Sequence, residues 1–447
     1  MSEIKPFIAY KNCTGTLSHD GNSIETSFDL TFSKNGKIQI FFSDQEFDDN
    51  TSWIYFASNQ KTETTATFSL EGKTQDHFSL VSDSVWLTES NIKSTPQSSA
   101  LKIQGTAGQI DLQKRNEDSL KGDIEVQFWI AGLKCFGSLE FKHGLGKILV
   151  RGNHAIKDFS EICGVCAIRK HLEGKGEFPK WFESVKEQSR RILDLLSFAN
   201  GRFLQTNLIR VVQDEQLSSI TLFNKTSHAE PYKPTFSHLN LQPFVKTGLE
   251  KYDQNFIDKT GFNVALEWFL MPHRYNESRY LAQMTALEHL IHVYVEQQSS
   301  NRMFGKAEFK KQLRPALEKT IEDIIPQLKG YSSNQEHYET LLEDLKRKIG
   351  DLNRRSLWLN LNSMLSLYRV PLNGLNEFLP ELIKIRNQIV HRGFHEQSSD
   401  QKSLGKYLSA LEELLKRIFL SLLDFRGQRR TFFNEIEFKD FERLPLT

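Results

Sequence analysis

The chain has 447 residues, enough for two or three domains with ample core. Apolar residues make up 38% and charged residues 25%, the balance of a soluble globular protein, and no run is long enough to span a membrane. A net charge of +1 excludes a polycationic nucleic-acid binder but leaves room for local basic patches.

The N-terminal part reads as β. Thr26–Phe32 alternates Phe28, Leu30 and Phe32, and Lys37–Phe42 follows Asn35-Gly36, a strong hairpin signal. Ser52–Ala57 is a further aromatic-rich strand candidate. Asp123–Ile130, Gly137–Phe141 and Lys147–Val150 continue the alternation. Alternation implies sheets with one packed and one wet face, hence a sandwich or open barrel. Many of the 33 Phe residues sit in alternating segments and read as β-core rather than as base-stacking platforms. Thr62–Thr67 and Asn91–Ser99 read as loops or solvated edges.

The period changes at Pro179. Trp181, Phe182, Val185, Ile192, Leu193, Leu195, Leu196 and Phe198 describe an amphipathic helix near 179–200, and Gly201 stops it. Strand-like runs return at Leu204–Val212 and Ser218–Phe223. The β-rich unit is therefore placed at 1–225, and 226–243, with three prolines, is read as a linker. Helices are expected near Phe244–Lys251, Asn255–Leu270, Asn276–Gln298, Lys306–Leu328, Glu336–Ile349, Arg354–Tyr368, Pro380–Arg392 and Ser403–Phe425. Short connections make 244–430 an antiparallel bundle. The tail 431–447 has no assignment. The expected fold class is α+β multidomain: a sandwich-like β domain followed by an all-α bundle.

The segment Leu382–Gly393, LIKIRNQIVHRG, carries the chemistry. On a helix, Leu382, Ile383, Ile385, Ile389 and Val390 cover one apolar arc, and Arg386 projects from its middle. Asn387 and His391 are four apart and stack at the arc's edge. A guanidinium aimed into an apolar stripe must find acceptors. Glu288, at the edge of the stripe Tyr280, Met284, Leu287, Ile291 and Val295, is a carboxylate that could fix Arg386; an ordinary boundary Glu is the alternative. His289 and His292 flank it and are expected to face solvent or the bundle edge.

The order Arg386-Asn387-(three residues)-His391 resembles the R-x4-6-H motif of HEPN domains in its RN-x3-H form. The spacing alone is common by chance; the Asn and the helical context make it more specific. The layout of a β-rich unit followed by a helical bundle resembles the ApeA-type anti-phage HEPN proteins. Arg191–Gly201 (RILDLLSFANG) and the helix from Tyr280 to Val295 (YLAQMTALEHLIHVY and on) are similar to stretches of that family. The C-terminal likeness covers about half the chain.

The resemblance implies an all-helical HEPN bundle that dimerises, so that Arg and His of both protomers converge. It implies a metal-independent RNA endonuclease with no cofactor, acting in abortive infection. Attack by the ribose 2′-OH would leave 2′,3′-cyclic phosphate and 5′-hydroxyl ends. His391 would transfer protons, Arg386 would hold phosphate oxygens and Asn387 would orient either. His391 falls in the last turn before Gly393, where the helix dipole suits a general acid. The implied partners are RNA, with tRNA one candidate, a second copy of the chain, and a phage-derived trigger on the β unit. The alternatives are a non-catalytic HEPN-like scaffold and the toxin of a toxin–antitoxin pair.

Other signals are weaker. Lys346-Arg347-Lys348, Arg354-Arg355 and Arg426 with Arg429-Arg430 are basic clusters, and Arg429 and Arg430 are taken as the RNA-binding pair. Cys163 and Cys166 have metal-knuckle spacing without a second pair, so two reduced thiols in a packed turn are the expectation. Four cysteines make no disulfide framework, and MSEIKPFIAY lacks the pattern of a secretory leader, so a cytoplasmic protein is expected. No phosphate-binding Gly-rich loop, HExxH helix or serine elbow occurs.

Overall fold

A computed structural model describes residues 7–46, 48–59, 66–94, 99–114, 116–135, 137–225, 233–298, 302–328, 335–393, 403–431, 433 and 437–441. The chain divides into two compact units, Met1–Leu249 and Glu250–Thr447.

The first unit is built on one continuous antiparallel sheet. Its strands are β1 (Ile8–His19), β2 (Asn22–Phe32), β3 (Ile38–Phe42), β4 (Gln45–Glu46), β5 (Phe68–Lys73), β6 (Ser79–Ser94) and β7 (Ser99–Ala107). There follow β8 (Gln109–Gln113), β9 (Gly122–Ala131), β10 (Ser138–His143), β11 (Gly146–Arg151), β12 (Ile162–Leu172), β13 (Thr206–Gln213) and β14 (Gln216–Phe223). The order β6-β5-β1-β2-β3-β7 closes on itself through the β6–β7 pairing, making a six-stranded barrel. The remaining strands extend it into a 14-stranded sheet.

This corrects the expected sandwich. Alternating polarity reports a wet and a dry face for each strand; it does not report which strands meet at the seam. Here β6 decides. Its first residues pair with both β5 and β8, and its later ones pair with β7, with a register shift between Leu87 and Glu89. One long bent strand therefore belongs to both the barrel and the open sheet. Leu17, Phe28, Leu30, Ile40, Leu70 and Val85 belong to the apolar core that results. Gly15 pairs with Gly72 across β1 and β5, where a Cβ on Gly15 would lie 2.2 Å from the Glu71 carbonyl oxygen. Only glycine admits that approach.

Two local expectations change in this unit. Ser52–Ala57 is not a strand; it lies in helix α1 (Ser52–Asn59). Asp48 accepts from the backbone N–H of Asn50 and Thr51 at 2.9 and 3.0 Å, turning the chain into the helix just before it starts. Cys163 and Cys166 sit on β12, not in a turn, three residues apart and hence on opposite faces of the strand. Burial pushes the Cys163 thiol up to about 11 and the Cys166 thiol up to about 12. Helix α2 (Glu177–Asn200) ends at Gly201, whose φ of 64° is the left-handed cap expected of it.

Part of the expected linker at 226–243 lies outside the described residues; from His238 it is helix α3 (His238–Lys251), with Pro243 inside. The second unit then runs α4 (Gln254–Thr260), α5 (Phe262–Leu270), α6 (Asn276–Gln298), α7 (Lys306–Glu308), α8 (Arg314–Leu328), α9 (Gln335–Asp351), α10 (Leu357–Leu367), α11 (Leu379–Arg392) and α12 (Leu404–Leu422). The helix expected over 255–270 breaks at Gly261, with φ at 65°. The one expected over 306–328 is interrupted by a π turn, Phe309–Leu313. Pro315 explains it: lacking an N–H, its ring cannot sit over the Lys311 carbonyl four residues back.

This unit is not all-α either. Strands β15 (Gly427–Thr431) and β16 (Glu437–Phe441) form a hairpin from the end of the expected bundle and the unassigned tail. Helix α6 is central, packing against α5, α10, α11 and α12. Phe262 and Phe269 of α5 meet Phe419 of α12 edge-on, with centroids 5.2 and 5.5 Å apart.

Candidate functional site

Helix α11 starts after Phe378 with Pro380 in its first turn, and ends on left-handed Gly393. Leu379, Leu382, Ile385 and Ile389 face the core. Tyr280 of α6 donates its hydroxyl to the Leu382 carbonyl at 2.8 Å inside that contact. Burial raises the pKa of this phenol, keeping it a neutral donor. The bond sets the two helices in register.

That register places Arg386 opposite Glu288. Nε donates to Glu288 Oε1 at 3.0 Å and Nη2 to Oε2 at 3.4 Å, a forked pair. Nη1 donates to Asn387 Oδ1 at 3.2 Å. The side chains of Arg386 and Glu288 are 33% and 31% exposed. A guanidinium has five N–H groups. Three are engaged here, and among the described residues no hydrogen bond takes up the other two.

His391 lies one turn beyond Asn387 on the same face, exposed in the last turn of α11. Val390, on the adjoining line, is 50% exposed although apolar. Arg386, Asn387 and Glu288 thus form one bonded cluster, and His391 shares α11 with Arg386 and Asn387 without a bond to any of the three.

The proposed RNA-binding pair is not at this surface. Arg429 is 4% exposed and forks onto Glu413, its Nη1 reaching Oε2 at 3.0 Å and its Nη2 reaching Oε1. A side chain locked in this way has no face for a polyanion. Arg430, its neighbour on the strand, is only partly exposed.

Arg429 instead belongs to a buried charge network that the sequence reading missed. Glu413 also takes Arg417 Nε at 2.8 Å and the Thr431 hydroxyl at 3.1 Å. Arg417 Nη1 donates to the carbonyls of Pro371 and Asn373, both at 2.9 Å. Beside it, Glu412 binds Lys416 at 2.9 Å and Arg279 at 3.1 Å. The only sequence signal is the i,i+4 spacing of Glu412–Lys416 and Glu413–Arg417, which reads as an ordinary solvated face. The network ties the hairpin and the loop leading to α11 onto α12.

His292 is exposed and pairs with Glu296 at 3.1 Å. His289 is half-buried, its Nε2 without a hydrogen-bond partner and close to Gly261. Burial, helped by His292, lowers its pKa. Among the described residues no group of three or more His, Cys, Asp or Glu side chains is placed to hold a metal ion. No described helix is long and apolar enough to cross a membrane. Comparison with family models, curated proteins and solved structures gives no match to this chain.

Proposed function

We propose that the helical unit is a metal-independent RNA endonuclease of the HEPN type, acting in anti-phage defence in the cytoplasm. The observation that carries the reading is the Arg386 guanidinium: pinned by Glu288 and Asn387, it has two N–H groups that no described residue takes up, and it shares α11 with an exposed histidine. A planar fork with its orientation already set can grip a phosphate without first losing side-chain freedom. Arg386 holds the non-bridging oxygens and stabilises the phosphorane. Asn387 donates to the same group. His391 protonates the leaving 5′-oxygen after attack by the 2′-OH. Glu288 is a positioning residue, acting through Arg386.

A single α11 supplies one histidine, whereas the reaction needs both a base and an acid. A second copy meeting the first along α11 would bring another. Val390, exposed on the same helix, would lie in that contact. In this reading the β-rich unit receives a phage-derived trigger.

The test uses purified protein and total cellular RNA, with new 5′-hydroxyl ends mapped by sequencing. Arg386→Ala and His391→Ala are expected to abolish cleavage while leaving folding and oligomeric state intact. Glu288→Gln should lower kcat about tenfold or more, because the fork loses its orientation. Val390→Asp should give a monomer by light scattering and lose activity with it. Cleavage at wild-type rate by both alanine variants would remove Arg386 and His391 from the chemistry, and no cleavage by wild type would leave a non-catalytic scaffold; in either case Glu288 simply neutralises a half-buried arginine.

A further inference from the structure

With Arg429 locked inside the fold, the nuclease reading lacks a surface that holds substrate, and the inference below rests on that reading. Charge in the second unit is uneven. Residues 302–314 carry five basic side chains and one acidic, as do residues 346–355, so each segment has a net +4 in a chain whose total is +1. Just outside these segments Glu318, Glu322 and Asp344 pair with Arg314, Lys346 and Arg347, and the local excess that remains favours an anionic ligand.

The fold joins the two segments. Arg302 and Arg354 face one another across an isolated antiparallel bridge. Buried Asn353 holds it: its carbonyl accepts from the Met303 N–H at 2.9 Å, its Oδ1 accepts from the Phe304 N–H at 2.8 Å, and its Nδ2 donates to the Phe304 carbonyl at 3.2 Å. Two arginines directly opposite one another are an unfavourable cross-strand pair in isolation. Yet the bridge presents both of them exposed.

Beside them, Met303 and Phe304 are 51% and 46% exposed. A solvated cationic face gives no reason for an uncovered aromatic ring at its centre. A nucleotide does: the guanidinium forks suit a phosphodiester and the ring suits a base. The ring can stack only on a base freed from a duplex, which selects single strands. We infer that the Arg302–Arg354 bridge together with Phe304 is a binding surface for single-stranded RNA.

The test is equilibrium binding of a short fluorescent single-stranded RNA to the full chain carrying His391→Ala, which leaves the probe uncut, across a series of salt concentrations. Arg302→Glu and Arg354→Glu are each expected to weaken binding about tenfold and to reduce the salt slope by about one. Phe304→Ala should weaken single-strand binding about tenfold and leave duplex binding unchanged. If a charge reversal disturbs folding, Arg302→Gln and Arg354→Gln are read in the same way.

Unchanged affinity and slope in the arginine variants would overturn the inference. So would equal binding of polyglutamate, which would make this an acidic-protein surface. Wild-type cleavage of total RNA is assayed in parallel. Cleavage with no effect of the arginine changes removes the surface and keeps the nuclease. Binding lost in those variants, with no cleavage by wild type, keeps the surface and removes the nuclease.

Discussion

Glu413 shows how much one side chain can carry. Burial pushes its carboxyl up, but Arg429 and Arg417 outweigh burial and hold it below the usual carboxylate range. A depressed value in the folded state means that its stabilisation is complete above about 4.5, the ordinary value, and is lost as the pH falls through the lower folded one. Glu413→Gln leaves two buried guanidinium groups without a counter-charge and should cost about 3–5 kcal/mol at neutral pH. Urea titration of both proteins at neutral and acid pH checks this, since the gap between them should narrow on acidification. An equal gap at both would mean that the carboxylate's charge contributes nothing. At this scale the sequence was legible for the face that Arg386, Asn387 and Glu288 each take on its own helix, whereas the meeting of Glu288 with Arg386 comes from the packing of α11 on α6. Arg429 was not legible, because a basic pair beyond a helix end looks the same in sequence whether solvent or a buried carboxylate receives it.

At the scale of elements, α11 depends on two supports. From one side Tyr280 anchors the Leu382 carbonyl. From the other, Arg417 holds the carbonyls of Pro371 and Asn373 in the loop before it, and Phe378, at its start, meets Tyr407 and Phe433 edge-on with centroids 5.9 and 5.4 Å apart. Tyr280→Phe removes one buried hydroxyl and should cost about 1 kcal/mol in stability. If the register of α6 and α11 matters to the reaction, it should also lower kcat more than it raises KM. A loss of stability with unchanged kcat would show that the anchor serves folding alone. Helix existence was legible from period and caps, as the agreement over Asn276–Gln298 shows. The break at Gly261 and the π turn at Phe309–Leu313 were less so, because the apolar pattern runs through both and outweighs the single Gly and Pro that mark them.

At the scale of the molecule, each unit has its own core and its own critical contact. Gly15→Val would drive a side chain into the Glu71 carbonyl and should open the barrel seam. Glu413→Gln acts in the helical unit. Differential scanning calorimetry should therefore show two transitions, with each variant lowering a different one. Both variants shifting a single shared transition would contradict this division.

The sequence by itself determined the chemistry on offer and the period of most elements: a β-rich beginning, a helical second half, and a helix that sets Arg386 within an apolar arc and Asn387 at its edge. Those features depend on neighbours within a few residues, whose faces follow from backbone geometry alone. Only the tertiary structure decided that the sheet closes through β6, that the tail returns as a hairpin, and that Arg429 is an interior strut while Arg302 and Arg354 meet at the surface. Each of these depends on partners far apart along the chain, and local polarity does not say which distant group will neutralise a charge or complete a strand's hydrogen bonds.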